Sequence, residues 1–440
     1  MQLFPYQEDA VARITASPDP IYLAFEMGLG KSAIALETAK RRGVKRLLIM
    51  CPSVGKLVWA KEIAKWWGPS TKVFVVDDPR MIKMGGGGIF ILPYSRVSTD
   101  PAFAKAVAEG DPFEMTVLDE AHALKNPGAN RTKAVLKTML PKLGFVLPMS
   151  GTPTPNHPGE LFPILRTVFP ETVRKSDGKL MRQTEFEDAY CQVVNRWFGG
   201  RSVRTIEGAK NGDILKTKIR PCFARKTKKE ALPELPDMTF DTYPIAAPGA
   251  PEWGVDFSTI DDDEIEILLS SPDRHVMRMR HLTGLAKVPG AVEAIVDMLD
   301  SCRRKVLVFA HHTDVIIGLM SNLAAYNPVA ITGETTSASR AYAVDRFLND
   351  PKCRVFAGNI TAAGTSITLV GDKADVSDVF FVEADYSPGN NVQAASRIHR
   401  IGQKDAVQVW FLTAFGTIDD RIGEILARKT RDFNELFGSL

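Results

Sequence analysis

Short apolar runs alternate with amphipathic stretches along the first 170 residues of the chain. The apolar runs have the length of buried strands and lie at 20–25, 46–51, 72–77, 88–93, 115–120 and 144–150. The stretches KSAIALETAKRRG and LVWAKEIAKWWG have helical periodicity, and each closes with glycine, a common helix terminator. Continuously apolar strands separated by helices are typical of a parallel sheet covered on both faces. The pattern therefore predicts an N-terminal α/β lobe over residues 1–170.

The same alternation resumes late in the chain. Apolar runs at 305–310, 329–332, 354–359, 378–383 and 407–413 predict strands, and amphipathic segments between them predict helices. One of these segments, NVQAASRIHRIG, carries Arg397 and Arg400. They are about one turn apart, so a helix there would present both cations on one face. We predict a second α/β lobe over residues 281–440.

Two segments of different composition separate the lobes. Over 171–235 there are 15 Lys and Arg against 9 Asp and Glu, and we expect residues 171–240 to form a small, mainly helical basic insert. A local positive excess indicates either a surface for a polyanion or simply a solvated insert. Residues 241–280 contain a Pro- and Gly-rich stretch at 244–254 and an acidic one at 261–272, which predict a linker and a small insert.

Composition excludes several classes of protein. The five cysteines form no CxxC pair and their number is odd, which argues against a disulfide framework or a zinc site. The first residues lack a signal-peptide pattern, and no apolar run approaches the ~18 residues of a membrane span. We expect a soluble, intracellular protein with no membrane partner.

A glycine-rich turn follows the first predicted strand. In FEMGLGKSA, Lys31 and Ser32 open the next helix, so backbone N–H groups of the turn could cradle nucleotide phosphates. Lys31 would reach the terminal phosphates and Ser32 would offer its hydroxyl to Mg²⁺. The pattern GxxxxGK[ST] is incomplete, because Phe25 stands at its first glycine position.

Two carboxylates end the strand TVLDE. At the carboxyl edge of a parallel sheet, where ligands bind, Asp119 would hold Mg²⁺ through water and Glu120 would orient and deprotonate the attacking water. An ordinary helix N-cap is the alternative. Combined with the glycine-rich turn, the pair favours nucleotide hydrolysis.

Four stretches, EMGLGKS, DEAHALKNP, MSGTPTPN and QAASRIHRIGQ, occur in the order found in the helicase-like ATPases of superfamily 2. They resemble the Swi/Snf-type subgroup of DNA-dependent translocases and remodelling motors, of which HRIGQ is a hallmark. KNPGANRTKAV is similar to the small annealing-helicase-like members. The resemblance covers nearly the whole chain and implies two RecA-like parallel-sheet domains in tandem.

The resemblance also implies roles for individual residues. Gln7 would read the adenine edge, a surface glutamine being the alternative, and Arg397 and Arg400 would be arginine fingers. The implied catalytic residues are Lys31, Asp119, Glu120, Arg397 and Arg400. The implied nucleotide contacts are Gln7, Met27, Gly28, Leu29, Gly30, Lys31, Ser32 and Gly364. The residues that would link nucleotide state to movement are His122, Ser150, Gly151, Thr152 and Gln393.

Nucleic-acid contacts are implied mainly with the backbone of a duplex, with little sequence preference. The candidates are Ser53, Ser95, Lys125, Arg225, Lys226, Lys228, Lys229 and Thr365. Two other groups are given structural interpretations. His311 and His312 are adjacent on a loop and therefore poorly placed as a metal pair, and Trp59, Trp66 and Trp67 have the spacing of a helix packed on the sheet.

We therefore predict a DNA-dependent ATPase that uses ATP and Mg²⁺ to translocate on double-stranded DNA and remodel DNA or protein–DNA complexes. The alternatives are a strand-separating DNA or RNA helicase and a DNA-binding scaffold without ATPase activity. We expect a monomer in the cytoplasm of a bacterial or phage-infected cell, associated with the nucleoid.

Overall fold

A computed structural model describes residues 2–84, 86–198, 201–250, 274–301, 304–363, 369–370, 375–400 and 402–437. The chain divides into two compact units, one formed by Met1–Ala231 with Asp432–Leu440 and the other by Leu232–Arg431. Among the described residues, no helix combines the length and the apolar character needed to cross a membrane.

The first unit is built on a parallel sheet. Within the described residues its seven strands are β1 (Tyr22–Phe25), β2 (Arg46–Cys51), β3 (Val73–Val75), β4 (Gly88–Pro93), β5 (Met115–Asp119), β6 (Phe145–Met149) and β9 (Phe223–Lys226). Their order is β3–β4–β2–β5–β6–β1–β9, and all neighbours pair in parallel. Every residue of β1 and β2 is buried, as expected for strands covered on both faces.

Helices connect these strands. They are α1 (Pro5–Ala16), α2 (Lys31–Arg41), α3 (Lys56–Trp67), α4 (Tyr94–Thr99), α5 (Pro101–Glu109), α6 (Asn130–Lys133), α7 (Phe162–Val168), α8 (Gln183–Tyr190), α9 (Gly212–Ile219) and α10 (Lys228–Ala231). Because each strand runs parallel to its neighbours, the loops that leave the strands at their carboxyl ends share one edge of the sheet.

The predicted basic insert differs from expectation. It contains a long antiparallel hairpin of β7 (Cys191–Phe198) and β8 (Arg201–Ala209), so the expectation of a mainly helical segment is corrected. The hairpin sequences are rich in β-branched and aromatic residues, which favour strands. The segment also supplies β9, which pairs with β1 from Tyr22↔Phe223 to Phe25↔Lys226. Residues 171–231 thus belong to the first compact unit.

The second unit is built on another parallel sheet. Its six strands within the described residues are β10 (Met238–Pro244), β11 (Lys305–Ala310), β12 (Val329–Ile331), β13 (Val355–Asn359), β14 (Val376–Phe381) and β15 (Val407–Thr413), in the order β10–β15–β14–β11–β13–β12. The remaining helices are α11 (Arg274–Ala286), α12 (Val288–Ser301), α13 (Thr313–Asn322), α14 (Ser337–Asn349), α15 (Ile360–Ala363), α16 (Pro388–Ala395) and α17 (Ile418–Phe437). Two tandem parallel-sheet α/β domains confirm the predicted fold class.

The second unit begins earlier than the predicted boundary at residue 281. It starts at Leu232, and β10 pairs along its whole length with β15, from Met238↔Val407 to Pro244↔Thr413. The sequence predicts that residues 238–240 end the basic insert and that residues 241–244 begin the linker. They form an edge strand instead, because β15 offers an open side for hydrogen bonding. The predicted acidic insert at 261–272 lies outside the described residues.

Candidate nucleotide-binding site

The glycine-rich turn joins β1 to α2 at the carboxyl edge of the first sheet. Gly28 and Gly30 have φ angles of 86° and 74°, left-handed values that side chains other than glycine rarely adopt. Phe25 is the last residue of β1 and is buried, so no glycine is required at the position where the sequence departs from the usual pattern. The Nζ of Lys31 donates to the main-chain carbonyls of Phe25 (3.0 Å) and Glu26 (3.3 Å).

Gln7 is attached directly to this turn. Its side chain is buried, its Nε2 donates to the carbonyl of Leu29 (3.1 Å), and its Oε1 accepts from the N–H of Phe4 (3.0 Å). A Cβ on Gly30 would lie 2.3 Å from the Gln7 Nε2. The alternative of a surface glutamine is therefore wrong.

Asp119 ends β5, and two donors hold its carboxylate. The indole N–H of Trp59 donates to Oδ2 (2.8 Å) and the N–H of Glu120 donates to Oδ1 (3.0 Å). Burial and then the charge of Glu120 raise the pKa of Asp119, against the opposing effects of the Trp59 hydrogen bond and the charge of Lys31. Two adjacent carboxylates near a lysine form a strongly polar group at the edge of the sheet.

Glu120 has an unusual backbone conformation. Its φ of 47° is left-handed, a strain that non-glycine residues adopt mostly where the surroundings impose it. Its Oε2 accepts from the Ser150 hydroxyl (3.4 Å), and that hydroxyl lies 2.9 Å from the His122 Nδ1. The N–H of Thr152 donates to the same hydroxyl (3.1 Å). Ser150 thus joins Glu120, His122 and the turn that follows β6.

Gly151 brings this turn against the glycine-rich loop. A Cβ there would lie 2.8 Å from the Met27 Cγ and 3.2 Å from the Met27 backbone nitrogen. Burial lowers the pKa of His122, which favours the neutral imidazole beside the hydroxyl of Ser150. The structure therefore brings together His122, Ser150, Gly151 and Thr152, the first-unit residues for which the family resemblance implies a link between nucleotide state and movement.

The candidate nucleic-acid contacts separate into two groups. Ser53 and Ser95 follow the neighbouring strands β2 and β4, are exposed, and have hydroxyls 2.6 Å apart. Lys125 forms an ion pair with the buried carboxylate of Glu160 (2.5 Å), which also accepts two hydrogen bonds from Asn156. Ser53 and Ser95 form an exposed polar pair, whereas Lys125 is only a third exposed.

Most of the basic group at 225–229 lies in or beside the sheet. The side chain of Arg225 is 4% exposed and donates to the carbonyls of Ala24 (2.6 Å) and Gly151 (3.3 Å). Lys228 is buried, Lys226 is half-buried, and Lys229 is exposed. The expectation that Arg225 and Lys228 contact nucleic acid is corrected, because the Arg225 side chain is buried in β9 and Lys228 is buried at the start of α10.

Arg225 instead belongs to the surroundings of the glycine-rich turn. Its Nη2 lies 3.5 Å from the Glu26 Oε1, and the Lys228 N–H donates to the Glu26 Oε2 (2.6 Å). Glu26 lies within the turn, so β9 and the start of α10 hold the glycine-rich turn in place. Sequence reasoning missed this contribution because the paired segments are about 200 residues apart along the chain.

In the second unit, α16 ends at Ala395, so Arg397 and Arg400 lie on the turns that follow this helix. The expectation that both arginines share one face of a helix is corrected. The Arg397 carbonyl accepts from the Leu369 N–H (3.0 Å), a tertiary contact that replaces the helical one. Each guanidinium is held locally: Arg397 Nε donates to the Gln393 carbonyl (3.2 Å) and Arg400 Nε to the Ser396 carbonyl (3.0 Å). Gly364 and Thr365 lie outside the described residues.

His311 and His312 follow β11 and hold a buried carboxylate. Both backbone N–H groups donate to Glu383 Oε2 (2.9 Å each), and His312 Nδ1 lies 2.6 Å from Glu383 Oε1. Within the described part of the chain, no three side chains of the metal-binding types cluster closely enough to hold a metal ion. The contacts support the structural interpretation of these histidines.

Comparison with known proteins identifies the family to which this chain is similar. Residues 15–245 match the SNF2-related domain, and residues 290–402 match the helicase conserved C-terminal domain. The human DNA annealing helicase and endonuclease ZRANB3 is 29% identical over 98% of this chain and 40% of that protein. A Caenorhabditis elegans homolog of SWI/SNF-related matrix-associated actin-dependent regulator of chromatin subfamily A-like protein 1 is 31% identical, over 97% of this chain and 61% of its own length.

A solved structure of the Sulfolobus solfataricus SWI2/SNF2 ATPase core in complex with dsDNA is 21% identical, covers 100% of this chain and 94% of its own, and has a TM-score of 0.45. The chain spans 40% of the length of human ZRANB3 and 61% of the worm protein.

The expected bacterial or phage-infected cell is contradicted by the curated relatives, which include human, Caenorhabditis elegans and Drosophila melanogaster proteins and favour a eukaryotic setting. The family prediction is confirmed, because the SNF2-related domain alone matches more than half of the chain. The chain belongs to the SNF2-related family of helicase-like ATPases of superfamily 2.

Proposed function

We propose that the chain hydrolyses ATP with Mg²⁺, that duplex DNA stimulates this hydrolysis, and that the protein uses it to move along double-stranded DNA and remodel DNA or protein–DNA complexes. The observation that carries the proposal is the continuity of the first-unit site. Gln7 contacts the glycine-rich turn, and the turn packs against the Ser150–Thr152 segment, which reaches Glu120.

Nucleotide binding would use groups that already surround the turn. The N-terminus of α2 presents backbone N–H groups without helical partners, which suits phosphate oxygens. Lys31 would exchange its carbonyl contacts within the turn for the terminal phosphates, a small movement of a flexible side chain. Gln7, whose amide is fixed at the turn, would hydrogen-bond the adenine edge.

The donor set fits a Mg²⁺ ion. Asp119 is a carboxylate oriented by two hydrogen bonds, and Ser32 lies in the first turn of α2, so an oxygen ligand comes from each side of the phosphate site. Bound there with ATP, Mg²⁺ would neutralise phosphate charge. Glu120 would position the attacking water and accept its proton, while Ser150 and His122 keep the Glu120 carboxylate in place.

Arg397 and Arg400 would act from the second unit. A guanidinium beside the transferred phosphoryl group stabilises the charge of the transition state and contributes about 10³–10⁵ in rate. Hydrolysis would then require the second unit to approach the nucleotide, which couples chemistry to movement. Gln393 and Gly364 are proposed to take part in this step.

DNA would be gripped by its backbone, which carries no sequence information. We propose Ser53, Ser95, Lys226, Lys229 and Thr365 as contacts, and Lys125 once it exchanges its Glu160 partner. The names of the curated relatives include a DNA annealing helicase, which supports a DNA substrate. The remodelled substrate is proposed to be branched DNA or a protein–DNA complex.

The deciding experiment compares ATPase rates with duplex, single-stranded and forked DNA and with RNA. We expect the largest stimulation with duplex or forked DNA and no lasting strand displacement. Equal rates with and without duplex DNA would contradict the proposal, and strand displacement on a forked substrate would favour a strand-separating helicase. Glu120→Gln should abolish turnover but retain DNA binding, which also distinguishes an ATPase from a scaffold.

A further inference from the structure

We propose that Trp59 is a positioning residue that orients Asp119 toward the divalent cation bound with the nucleotide. The inference rests on the proposed function, because it assigns Asp119 to the metal. It changes the interpretation of Trp59, whose spacing along α3 predicted a simple packing role.

The contact is direct and buried. Trp59 is 2% exposed, and its Nε1 lies 2.8 Å from the Asp119 Oδ2, a normal hydrogen-bond length. The other carboxylate oxygen, Oδ1, accepts from the Glu120 N–H at 3.0 Å. With one donor on each oxygen, the plane of the carboxylate is fixed. Each oxygen retains a lone pair for a further ligand.

Sheet topology explains why a residue on α3 can reach β5. Strand β2 is the parallel neighbour of β5, with Met50 paired to Leu118, so both strands end at the same edge. The chain leaves β2 at Cys51 and enters α3 at Lys56, which places Trp59 in the first turns of the helix above that edge. The indole therefore approaches the Asp119 side chain from the helix that follows the neighbouring strand.

Two other tryptophans on α3 provide a comparison within the same helix. Trp66 donates to Glu62 (3.2 Å), one turn earlier, and Trp67 donates to the carbonyl of Leu36 (3.2 Å). Both contacts satisfy an indole N–H without touching the nucleotide site. Of these three, Trp59 alone donates to a candidate metal ligand. Partners of this kind fix ligand orientation, and their loss typically weakens metal binding by about 10–100-fold.

The test measures metal binding rather than turnover. Mn²⁺ is titrated into the full chain with saturating ADP, and free Mn²⁺ is followed by electron paramagnetic resonance. We expect Trp59→Phe to raise the half-saturating Mn²⁺ concentration about tenfold. Binding of a fluorescent ADP in the presence of EDTA should stay within a factor of about two. Trp66→Phe, the matched control, should leave both values unchanged.

Because Phe is smaller than Trp, Trp59→Phe could lower stability in a packed site. A second variant therefore carries 3-benzothienylalanine at position 59, which keeps the ring size and lacks the N–H. The same weakening of Mn²⁺ binding, with a melting temperature equal to that of the wild type, supports positioning. Wild-type Mn²⁺ affinity in this variant would overturn the inference. Failure of the wild type itself to bind ADP or Mn²⁺ would instead contradict the proposed function.

Discussion

The side-chain amide of Gln7 donates to the main-chain carbonyl of Leu29 across 3.1 Å and so connects α1 to the glycine-rich turn. We expect Gln7→Ala to raise the KM for ATP about tenfold, the equivalent of one or two lost hydrogen bonds. Discrimination of ATP from GTP should fall in parallel, because the proposed adenine contact is lost. Steady-state kinetics with both nucleotides measure this. Gln192→Ala is the control, since that amide donates to the Ala209 carbonyl in the hairpin.

Gly30→Ala should disturb the same connection from the other side. Its Cβ would lie 2.3 Å from the Gln7 Nε2, and its φ of 74° penalises any side chain. We expect weaker ATP binding. In a double-mutant cycle, Gly30→Ala should cost less in the Gln7→Ala background, where its neighbour is gone.

Gly43→Ala separates backbone strain from this steric effect. Gly43 has a similar φ of 68°, but no atom lies within 4 Å of its Cβ position. The substitution should lower the free energy of unfolding by about 1–2 kcal/mol and leave ATP affinity unchanged.

In the double-mutant cycle, additive effects of Gly30→Ala and Gln7→Ala would show that the two residues act independently.

Arg400→Ala should affect hydrolysis far more than nucleotide binding. The Arg400 guanidinium is held by the Ser396 carbonyl, and burial lowers the pKa of its guanidinium to about 10, which still leaves it charged at neutral pH. We expect kcat to fall by about 10³-fold while the affinity for a fluorescent ADP changes less than threefold. An equal loss in both would indicate a role in folding or binding.

Lys229 and Arg225 should respond differently to DNA. Lys229 is exposed, so Lys229→Ala should reduce the slope of log affinity against log salt by about one, the effect of one phosphate contact. Arg225→Lys should leave that slope unchanged. It should destabilise the protein by about 1–3 kcal/mol, because buried carbonyls lose their donor. Fluorescence anisotropy across salt concentrations and thermal melts distinguish the two.

Acidification should destabilise the second unit in two steps. Burial, with Arg280 and His312, lowers the pKa of His311 from 6.5 to about 4, so from pH 6.5 down to 4 the unfolded chain binds a proton that the folded chain does not. Burial opposes ionisation of Glu383, but the hydrogen bond from His312 and nearby charges lower its pKa below 4.5. Its contribution is present above pH 4.5 and is lost as the pH falls through the folded value.

Melting temperatures of the wild type, His311→Gln and Glu383→Gln, measured from pH 7 down through the range below 4.5, test these signs. His311→Gln should flatten the upper part of the profile, and Glu383→Gln the lower part. A melting temperature that rose on acidification would contradict both assignments.

The grouping of the candidate site residues in the first unit was largely predictable, because they lie in short local motifs at strand ends. Asp119 ends a strand, Lys31, Glu120 and Ser150 follow strands, and parallel strands bring such positions to one edge. The roles of Arg225 and of the turn after Ala395 were not predictable. The first depends on pairing between β1 and β9, and the second on a hydrogen bond from Leu369, and neither leaves a periodic signal in the sequence.

The position of β9 also determines the order in which the first unit can be completed during synthesis. Strand β1 lies between β6 and β9, so β1 is an exposed apolar edge until residues 223–226 leave the ribosome. Until then Glu26 also lacks its partners Arg225 and Lys228. An exposed apolar edge strand invites pairing with other chains. A fragment ending near residue 170 would retain every nucleotide-binding motif of this unit and yet be prone to aggregation.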